Sequence, residues 1–239
     1  MWICEVLRYN TNGKTMLKRY QKNTPLYTDA ELEVIHNLKI CVIGCGGVGT
    51  QIIEGFARFG VKQITAVDKD VIDETDLNRL IHSNGKTIGE SKASVMKKFI
   101  DNINDRINTN TLSLDYTEQN GPIILKNHDI VIDATGDFSI KRLIEKHAGE
   151  IGIPMMYTYY RNVTGYMAWI EPKSMDLERV LSIVPKRDET SSKPIFTTSV
   201  TGNMVIFQIL ANILKKPEAL HHELLTIDIS TFSSTRIKL

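Results

Sequence analysis

The feature that most constrains this chain is a short apolar segment that runs directly into a cluster of glycines. Residues Lys39–Ile43 are followed by Gly44-Cys-Gly-Gly-Val-Gly49 and then by apolar residues at helical spacing. A short continuous apolar run is typical of a strand covered on both faces. Glycines let the backbone approach a phosphate at the amino end of the next helix. The segment therefore predicts a strand, a glycine turn and a helix that together bind a nucleotide.

An acidic residue follows this unit at the position expected for a ribose contact. The second predicted strand, Gln63–Val67, ends at Asp68, about 20 residues beyond the glycines, and Asp70 comes two residues later. A carboxylate there can accept hydrogen bonds from ribose hydroxyls. The combination of strand, glycines, helix, strand and acid is far more specific than the glycines alone.

Predicted strands and helices alternate along most of the chain, which indicates a parallel sheet with helices on both faces. The predicted fold class is α/β, a Rossmann-like, doubly wound, mostly parallel sheet with antiparallel C-terminal strands. Residues 1–38 are predicted to form an N-terminal arm with a turn at Asn10–Gly13, and residues 39–239 a single nucleotide-binding domain. The aperiodic, polar stretch near residues 172–197 is predicted to be a long loop.

Composition excludes several classes of protein. The chain has 239 residues and a formal net charge of +1, so no overall charge draws it to nucleic acid or to anionic lipid. No apolar run approaches the ~20 residues of a membrane helix, and the first residues do not resemble a signal peptide. We therefore expect a cytoplasmic protein without a membrane partner. Its cysteines, Cys4, Cys41 and Cys45, suit neither a disulfide framework nor a structural zinc site.

The loop and helix start after Asp70 carry polar groups that a dinucleotide site does not require. They include Asp76, Asn78, Arg79, His82 and Lys92. If this span folds back over the glycine turn, Arg79 and Lys92 can neutralise a triphosphate and stabilise the charge on departing pyrophosphate. Spacing alone leaves open a solvated loop followed by a helix terminus.

These motifs together resemble the ThiF/MoeB/HesA adenylyltransferases, relatives of ubiquitin-activating enzymes. The resemblance rests on the following segments: Arg19-Tyr-Gln-Lys-Asn23, Gly44-Cys-Gly-Gly-Val-Gly49, Asp68-Lys-Asp70, Thr75-Asp-Leu-Asn-Arg-Leu80, Gly89-Glu-Ser-Lys92, Asp133-Ala-Thr-Gly-Asp137 and Thr198-Ser-Val-Thr-Gly-Asn203. Their order agrees with the family over most of the chain.

The resemblance implies ATP and Mg²⁺ as cofactors, no structural zinc, and a homodimer. The nucleotide-binding residues that it implies are Gly44, Gly46, Gly47, Gly49, Asp68, Asp70, Asn78 and Asp133. The catalytic residues that it implies are Arg79, Lys92, Asp137 and Lys22, with Lys22 reaching in from the partner subunit. For Asp133, capping of the following helix is an equally good interpretation.

Four positions differ from the family pattern. Asp76 stands where the family has asparagine, Leu80 where it has glutamine, and Lys22 where it has arginine. The family's magnesium-binding aspartate aligns with Gly136, and we expect the adjacent Asp137 to bind the metal instead. The second half has no cysteine, so we expect no enzyme–substrate thioester.

The leading functional hypothesis is an ATP-dependent adenylyltransferase. It would activate the C-terminal carboxylate of a small ubiquitin-like sulfur carrier protein or of a peptide as an acyl-adenylate. Three alternatives stay open: an enzyme similar to tRNA threonylcarbamoyladenosine dehydratase, with tRNA as partner; a catalytically weak ThiF-like peptide-binding module; and an NAD-dependent oxidoreductase. The oxidoreductase leaves Arg79 and Lys92 without a role.

Overall fold

The computed structural model describes residues 7–9, 15–186 and 191–239. The predicted turn at Asn10–Gly13 lies outside them. The strands are β1 (Leu7–Tyr9), β2 (Thr15–Leu17), β3 (Lys39–Ile43), β4 (Gln63–Val67), β5 (Asn108–Leu112), β6 (Ile130–Asp133), β7 (Met155–Arg161), β8 (Thr164–Ile170), β9 (Glu223–Asp228) and β10 (Ser233–Lys238). The α-helices are α1 (Asp29–Asn37), α2 (Gly47–Phe59), α3 (Lys92–Ile103), α4 (Gly121–Leu125), α5 (Phe138–Ile151), α6 (Asp176–Ile183) and α7 (Ile195–Ile213). Short 3-10 helices span Lys18–Asn23 and Glu74–Asp76.

Eight strands form one mixed sheet in the order β10-β9-β8-β7-β6-β3-β4-β5. The strands from β7 to β5 run parallel, and β8, β9 and β10 join antiparallel. This arrangement confirms the predicted fold class. From β3 the sheet continues on one side with β4 and β5, and the chain then crosses to β6 on the other side of β3. The carboxyl ends of β3 and β6 therefore flank a topological switch point.

The central strands are buried on both faces because their side chains are apolar at consecutive positions. Ile40 and Val42 of β3 pack into the core shared with α1, α2, α3 and α7. Cys41 and Ile43 point to the opposite face, into the core shared with α4, α5 and α6. Cys45 packs on the same side as Ile40, so the two cysteines lie on opposite faces.

One segment differs from what the sequence suggested, because the predicted loop contains a helix. The stretch near residues 172–197 contains α6, whose Leu177, Val180 and Leu181 are buried at helical spacing, as is Val184 directly after the helix. Within the predicted arm, residues 1–38, the sequence indicates a helix from Thr28 to His36, and the structure forms α1 there with Leu32 and Ile35 in the main core. Helix α6 was not predicted because polar residues separate its apolar positions.

Candidate active site

A cavity of about 350 Å³ opens at the carboxyl ends of the parallel strands, at the switch point between β3 and β6. Most of the residues predicted from the sequence line it: Gly44, Gly46, Gly47, Asp68, Asp70, Arg79, Lys92 and Asp137. They come from the ends of β3, β4 and β6 and from the connection that leads to α3. The fold thus brings three predicted acids and two predicted cations to the same space.

The glycine turn is packed so closely that side chains at Gly44 and Gly49 would collide with backbone atoms. Gly44 has a φ of 104°, and a Cβ there would lie 2.8 Å from the carbonyl oxygen of Ala134. A Cβ on Gly49 would lie 1.9 Å from the carbonyl oxygen of Gly44, so Gly49 supports the turn from behind. The turn is therefore pressed against the end of β6, and the first amides of α2 face the cavity region.

Asp68 ties the end of β4 to the glycine turn. Its Oδ2 accepts a hydrogen bond from the Cys45 amide at 2.7 Å, and its Oδ1 accepts one from the Asp70 amide at 2.8 Å. Burial raises the pKa of Asp68, while these two amides and the charge of Lys92 oppose the rise. Each carboxylate oxygen can accept a further bond, which fits the predicted ribose contact.

Arg79 and Lys92 both line the cavity, on the side of the glycine turn. A Cβ on Gly47 would come 3.3 Å from Cδ of Arg79, so the arginine side chain lies over the glycine turn. Lys92 Nζ lies 3.2 Å from Asp76 Oδ2 and 3.5 Å from Asp70 Oδ2. Burial disfavours the charge of Lys92, but Asp68, Asp76 and Asp70 outweigh burial and raise its pKa, so the side chain is a cation at neutral pH.

Asp137 lines the cavity and also begins α5. Its Oδ1 accepts hydrogen bonds from the side chain and amide of Ser139, which together lower the pKa of Asp137 and keep it ionised. Mg²⁺ in nucleotide sites is usually held by one or two carboxylates and the substrate phosphates, so this carboxylate fits the predicted metal role. Among the described residues, no group of three or more His, Cys, Asp or Glu side chains is placed to hold a metal ion.

Asp133 occupies a different place from the other predicted nucleotide-binding residues. It is fully buried behind the cavity wall and forms an ion pair with Lys141, which is also fully buried. Lys141 further donates to the carbonyl oxygens of Thr135 at 2.9 Å and Thr158 at 2.8 Å. Asp133 thus joins β6 to α5 and β7, and it is Asp137 that caps the helix. The lysine at an apolar position of α5, beside Ile144 and Ala148, was the sequence signal for this pair.

Two other predicted residues lie away from the cavity lining. Asn78 is exposed, accepts a hydrogen bond from Arg79 at 2.9 Å, and donates one to the carbonyl oxygen of Lys193 at 3.3 Å. Lys22 is exposed on the 3-10 helix of the arm. Neighbouring Tyr20 anchors this arm, because its hydroxyl accepts a 2.7 Å bond from Asn104 at the end of α3.

The cavity has a second wall that the motifs did not indicate. It is formed by Leu114, Asp115 and Tyr116 after β5, by Tyr159 and Tyr160 of β7, and by Lys193 before α7. The sequence indicates an extended segment from Ile153 to Thr158, and the structure continues this strand through both tyrosines, so their position just beyond it was a usable signal. Lys193 lies in a segment without periodicity, and nothing in the sequence pointed to it.

Burial explains one departure from the family pattern and the behaviour of the thiols. Leu80 packs with Ile72 and Val95 in a small apolar cluster, where a glutamine amide would lack a partner of its own. Burial raises the pKa of the Cys41 and Cys45 thiols far above neutrality. Neither supplies a thiolate.

None of the helices in the described ranges combines the length and apolarity needed to cross a membrane.

The chain is similar to several characterised proteins. It is 34% identical over 142 residues to the tRNA threonylcarbamoyladenosine dehydratase of Bacillus subtilis. This alignment covers 59% of this chain and 56% of that protein. It is 25% identical over 157 residues to the sulfur carrier protein adenylyltransferase of Thermus thermophilus, covering 65% of this chain and 58% of that one. The aligned regions thus span little more than half the length of these curated relatives.

Structural similarity extends further than sequence identity. The crystal structure of Escherichia coli MccB with ATP matches with a TM-score of 0.80, covering 93% of this chain and 72% of that chain at 17% identity. At that identity the match supports the fold. The sequence profile of the ThiF family matches residues 19–239, which is nearly the whole chain. The chain therefore belongs to the ThiF family.

Proposed function

We propose that this protein is an ATP-dependent adenylyltransferase that activates a carboxylate as an acyl-adenylate with release of pyrophosphate. The observation that carries the proposal is the convergence of Arg79 and Lys92 on the glycine turn, in the same cavity as Asp68. One acid suits a ribose, and two cations suit a triphosphate. An NAD-dependent oxidoreductase would need only the glycines and the acid.

The residues of the cavity divide the work as follows. Asp68 holds the ribose, and the glycine turn lets the phosphates approach the first amides of α2. Arg79 and Lys92 stabilise the negative charge that develops as pyrophosphate leaves, an effect that positioned cations exert without forming a covalent bond. Asp137 is the side chain that would hold Mg²⁺, which supplies further charge neutralisation of the phosphates. The attacking carboxylate would enter beside Tyr159, Tyr160 and Lys193.

The acyl substrate that we propose is the C-terminal carboxylate of a ubiquitin-like sulfur carrier protein or of a peptide. Support comes from the Thermus thermophilus relative, a sulfur carrier protein adenylyltransferase. The second candidate is a reaction on tRNA, which the Bacillus subtilis relative favours. Both need a carboxylate to be activated at the same cavity, so the proposed chemistry of Arg79 and Lys92 is common to the two.

We also propose that the protein works as a cytoplasmic homodimer. The exposed apolar residues Phe196, Val200 and Phe207 share one face of α7, and an oligomer interface would cover them. Lys22 lies on the exposed arm, outside the cavity of its own subunit, which suits a side chain that serves a second copy.

The test is ATP–pyrophosphate exchange, measured with sulfur carrier proteins, C-terminal peptides and tRNA as separate additions. We expect exchange with one class of substrate and a loss of about 10²–10³-fold in Arg79→Ala and Lys92→Ala. Lys98→Ala is the matched control, because Lys98 lies on the same helix as Lys92 but pairs with Glu90 on the surface. Exchange that survives both alanine substitutions would contradict the mechanism.

A further inference from the structure

Asp76 is the most buried carboxylate on the phosphate side of the cavity. It ends the 3-10 helix Glu74–Asp76 and is only 4% exposed. Its Oδ1 accepts a 2.7 Å bond from Nη2 of Arg79, and its Oδ2 lies 3.2 Å from Nζ of Lys92. One carboxylate therefore contacts both of the cations that the proposed reaction requires.

Arg79 is fixed in place by several acceptors on its own turn. Its Nη1 donates to the carbonyl oxygen of Thr75 at 2.8 Å and to Oδ1 of Asn78 at 2.9 Å, while Nη2 donates to Asp76. Among the described residues none accepts a bond from Nε. The guanidinium is thus oriented along one edge, and the remaining donors are left for a ligand.

The contacts of Asp76 require a carboxylate and not an amide. Oδ2 also accepts a bond from the Asp73 amide at 3.2 Å, so every group around the side chain is a donor. Asparagine has one acceptor oxygen and an NH₂ group. In either orientation its NH₂ would face a cation or an N–H group. The aspartate at this position, where the family pattern has asparagine, is matched to its surroundings in this chain.

Lys92 has competing acidic neighbours on its other side. Asp70 lies 3.5 Å from its Nζ, and the charge of Asp68 also acts on it. Without the Asp76 carboxylate, these two acids would draw the ammonium group away from Arg79 and toward the ribose end of the cavity. The separation between the two cations would then no longer be set.

We propose that Asp76 is a positioning residue that holds Arg79 and Lys92 as a preorganised pair for the phosphates of ATP. The inference rests on the proposed function and deepens it. The negative charge of Asp76 opposes phosphate binding, but the geometry that it enforces outweighs the repulsion. Preorganised charge is effective because the enzyme does not have to rearrange it during the reaction.

The test compares Asp76→Asn and Asp76→Glu with Asp73→Asn as the matched control. Asp73 lies on the same turn but is exposed and only caps it, a role that asparagine fills well. We expect Asp76→Asn to lower the maximal rate of ATP–pyrophosphate exchange by about 30- to 100-fold. The KM for ATP should rise by only about three- to tenfold. Asp76→Glu, which retains the charge and both oxygens, should recover part of the rate.

A merely structural role and a merely repulsive charge give different results. A structural role would lower the exchange rate in proportion to the fraction unfolded, measured by thermal melting, and would leave Asp76→Glu no better than Asp76→Asn. A repulsive charge would make Asp76→Asn bind ATP more tightly and react at least as fast as the wild type. Either result, or an equal loss in Asp73→Asn, overturns the proposal.

The binding arm of the experiment separates this proposal from the proposed function. Dissociation constants for AMP and ATP are measured by calorimetry for each variant. The constant for AMP divided by the constant for ATP reports on the contacts to the outer phosphates. In Asp76→Asn this ratio should shrink while AMP binding stays unchanged. If the wild-type chain catalyses no exchange with any substrate, the proposed function fails, and an unchanged ratio would still refute the role of Asp76.

Discussion

At the scale of single residues, Asp68 has competing demands. Its carboxylate must be ionised to accept bonds from ribose hydroxyls, but burial raises its pKa. A carboxylate with a raised pKa contributes stability below its usual pKa and loses that contribution as the pH rises through the raised value. At neutral pH the ionised Asp68 is therefore held at some cost to the folded state, and the ribose contact that we propose would account for its presence.

Replacement of Asp68 by asparagine should separate binding from stability. Hydrogen bonds to charged groups contribute about 1.5–3 kcal/mol, so we expect the affinity for ATP to fall by about 10- to 150-fold at neutral pH. The melting temperature at that pH should change little, because removal of the ionised group offsets the loss of one of the two backbone bonds that Asp68 accepts. In the wild type, affinity should decline with acidification at a higher pH than for an ordinary aspartate.

The control and the specificity of this test come from a second acid and a second ligand. Asp129 also accepts a backbone bond at a strand end, from the Lys39 amide at 2.8 Å, but it precedes β6 at the opposite edge of the sheet. Asp129→Asn should leave ATP affinity unchanged. Wild type should bind dideoxy-ATP weakly, and Asp68→Asn should not distinguish it from ATP. Equal discrimination by both forms would refute the ribose contact.

At the scale of elements, the glycine turn has positions with different structural purposes. Gly49 supports the turn against Gly44, whereas a Cβ on Gly46 would meet no atom within 4 Å. Gly46 also has an extended backbone with a φ of −78°, which any residue adopts. One glycine is therefore needed for the fold, and the other only for access to the cavity.

Alanine at these two positions should produce opposite defects. Gly49→Ala should lower the free energy of unfolding by about 3 kcal/mol, or roughly 6–12 °C in Tm, because the backbone of Gly44 has to move. Gly46→Ala should cost only about 0.5–1 kcal/mol, because alanine is a poorer N-cap than glycine, but it should weaken ATP binding, since its methyl group stands at the cavity wall. Thermal melting and ATP titration of both variants check this. Similar stability in the two would contradict the packing described for the turn.

Elements whose signal is local could be predicted from the sequence, and contacts between distant segments could not. The unit from β3 to Asp68 was predicted because a buried strand, a glycine turn and a helix are consecutive. Asp133 was predicted as a possible nucleotide contact, but its surroundings depend on Lys141 and on β7. Asp76 was identified only as a departure from the family pattern, because its contacts depend on Arg79 and Lys92 meeting in space. Lys193 had no local signal at all.

At the scale of the whole molecule, the arm lies apart from the cavity of its own subunit. Arg19 and Tyr20 attach the arm to Asn104 through bonds of 2.9 and 2.7 Å, and Gly60 leaves room for the tyrosine ring. Lys22 follows on the surface, outside the lining of its own cavity. Lys22 is placed to act only if a second subunit brings its cavity to the arm.

Mixing two inactive variants should therefore restore exchange. In a dimer of one Lys22→Ala and one Lys92→Ala subunit, one cavity would have an intact Lys92 and receive an intact Lys22 from its neighbour. Random pairing of equal amounts should recover roughly a quarter of the wild-type activity, because half of the dimers are mixed and each has one intact site. Lys18→Ala, a change on the same 3-10 helix, is the control and should be active alone. If the mixture stays inactive although mass measurement shows mixed dimers, Lys22 does not act across the interface.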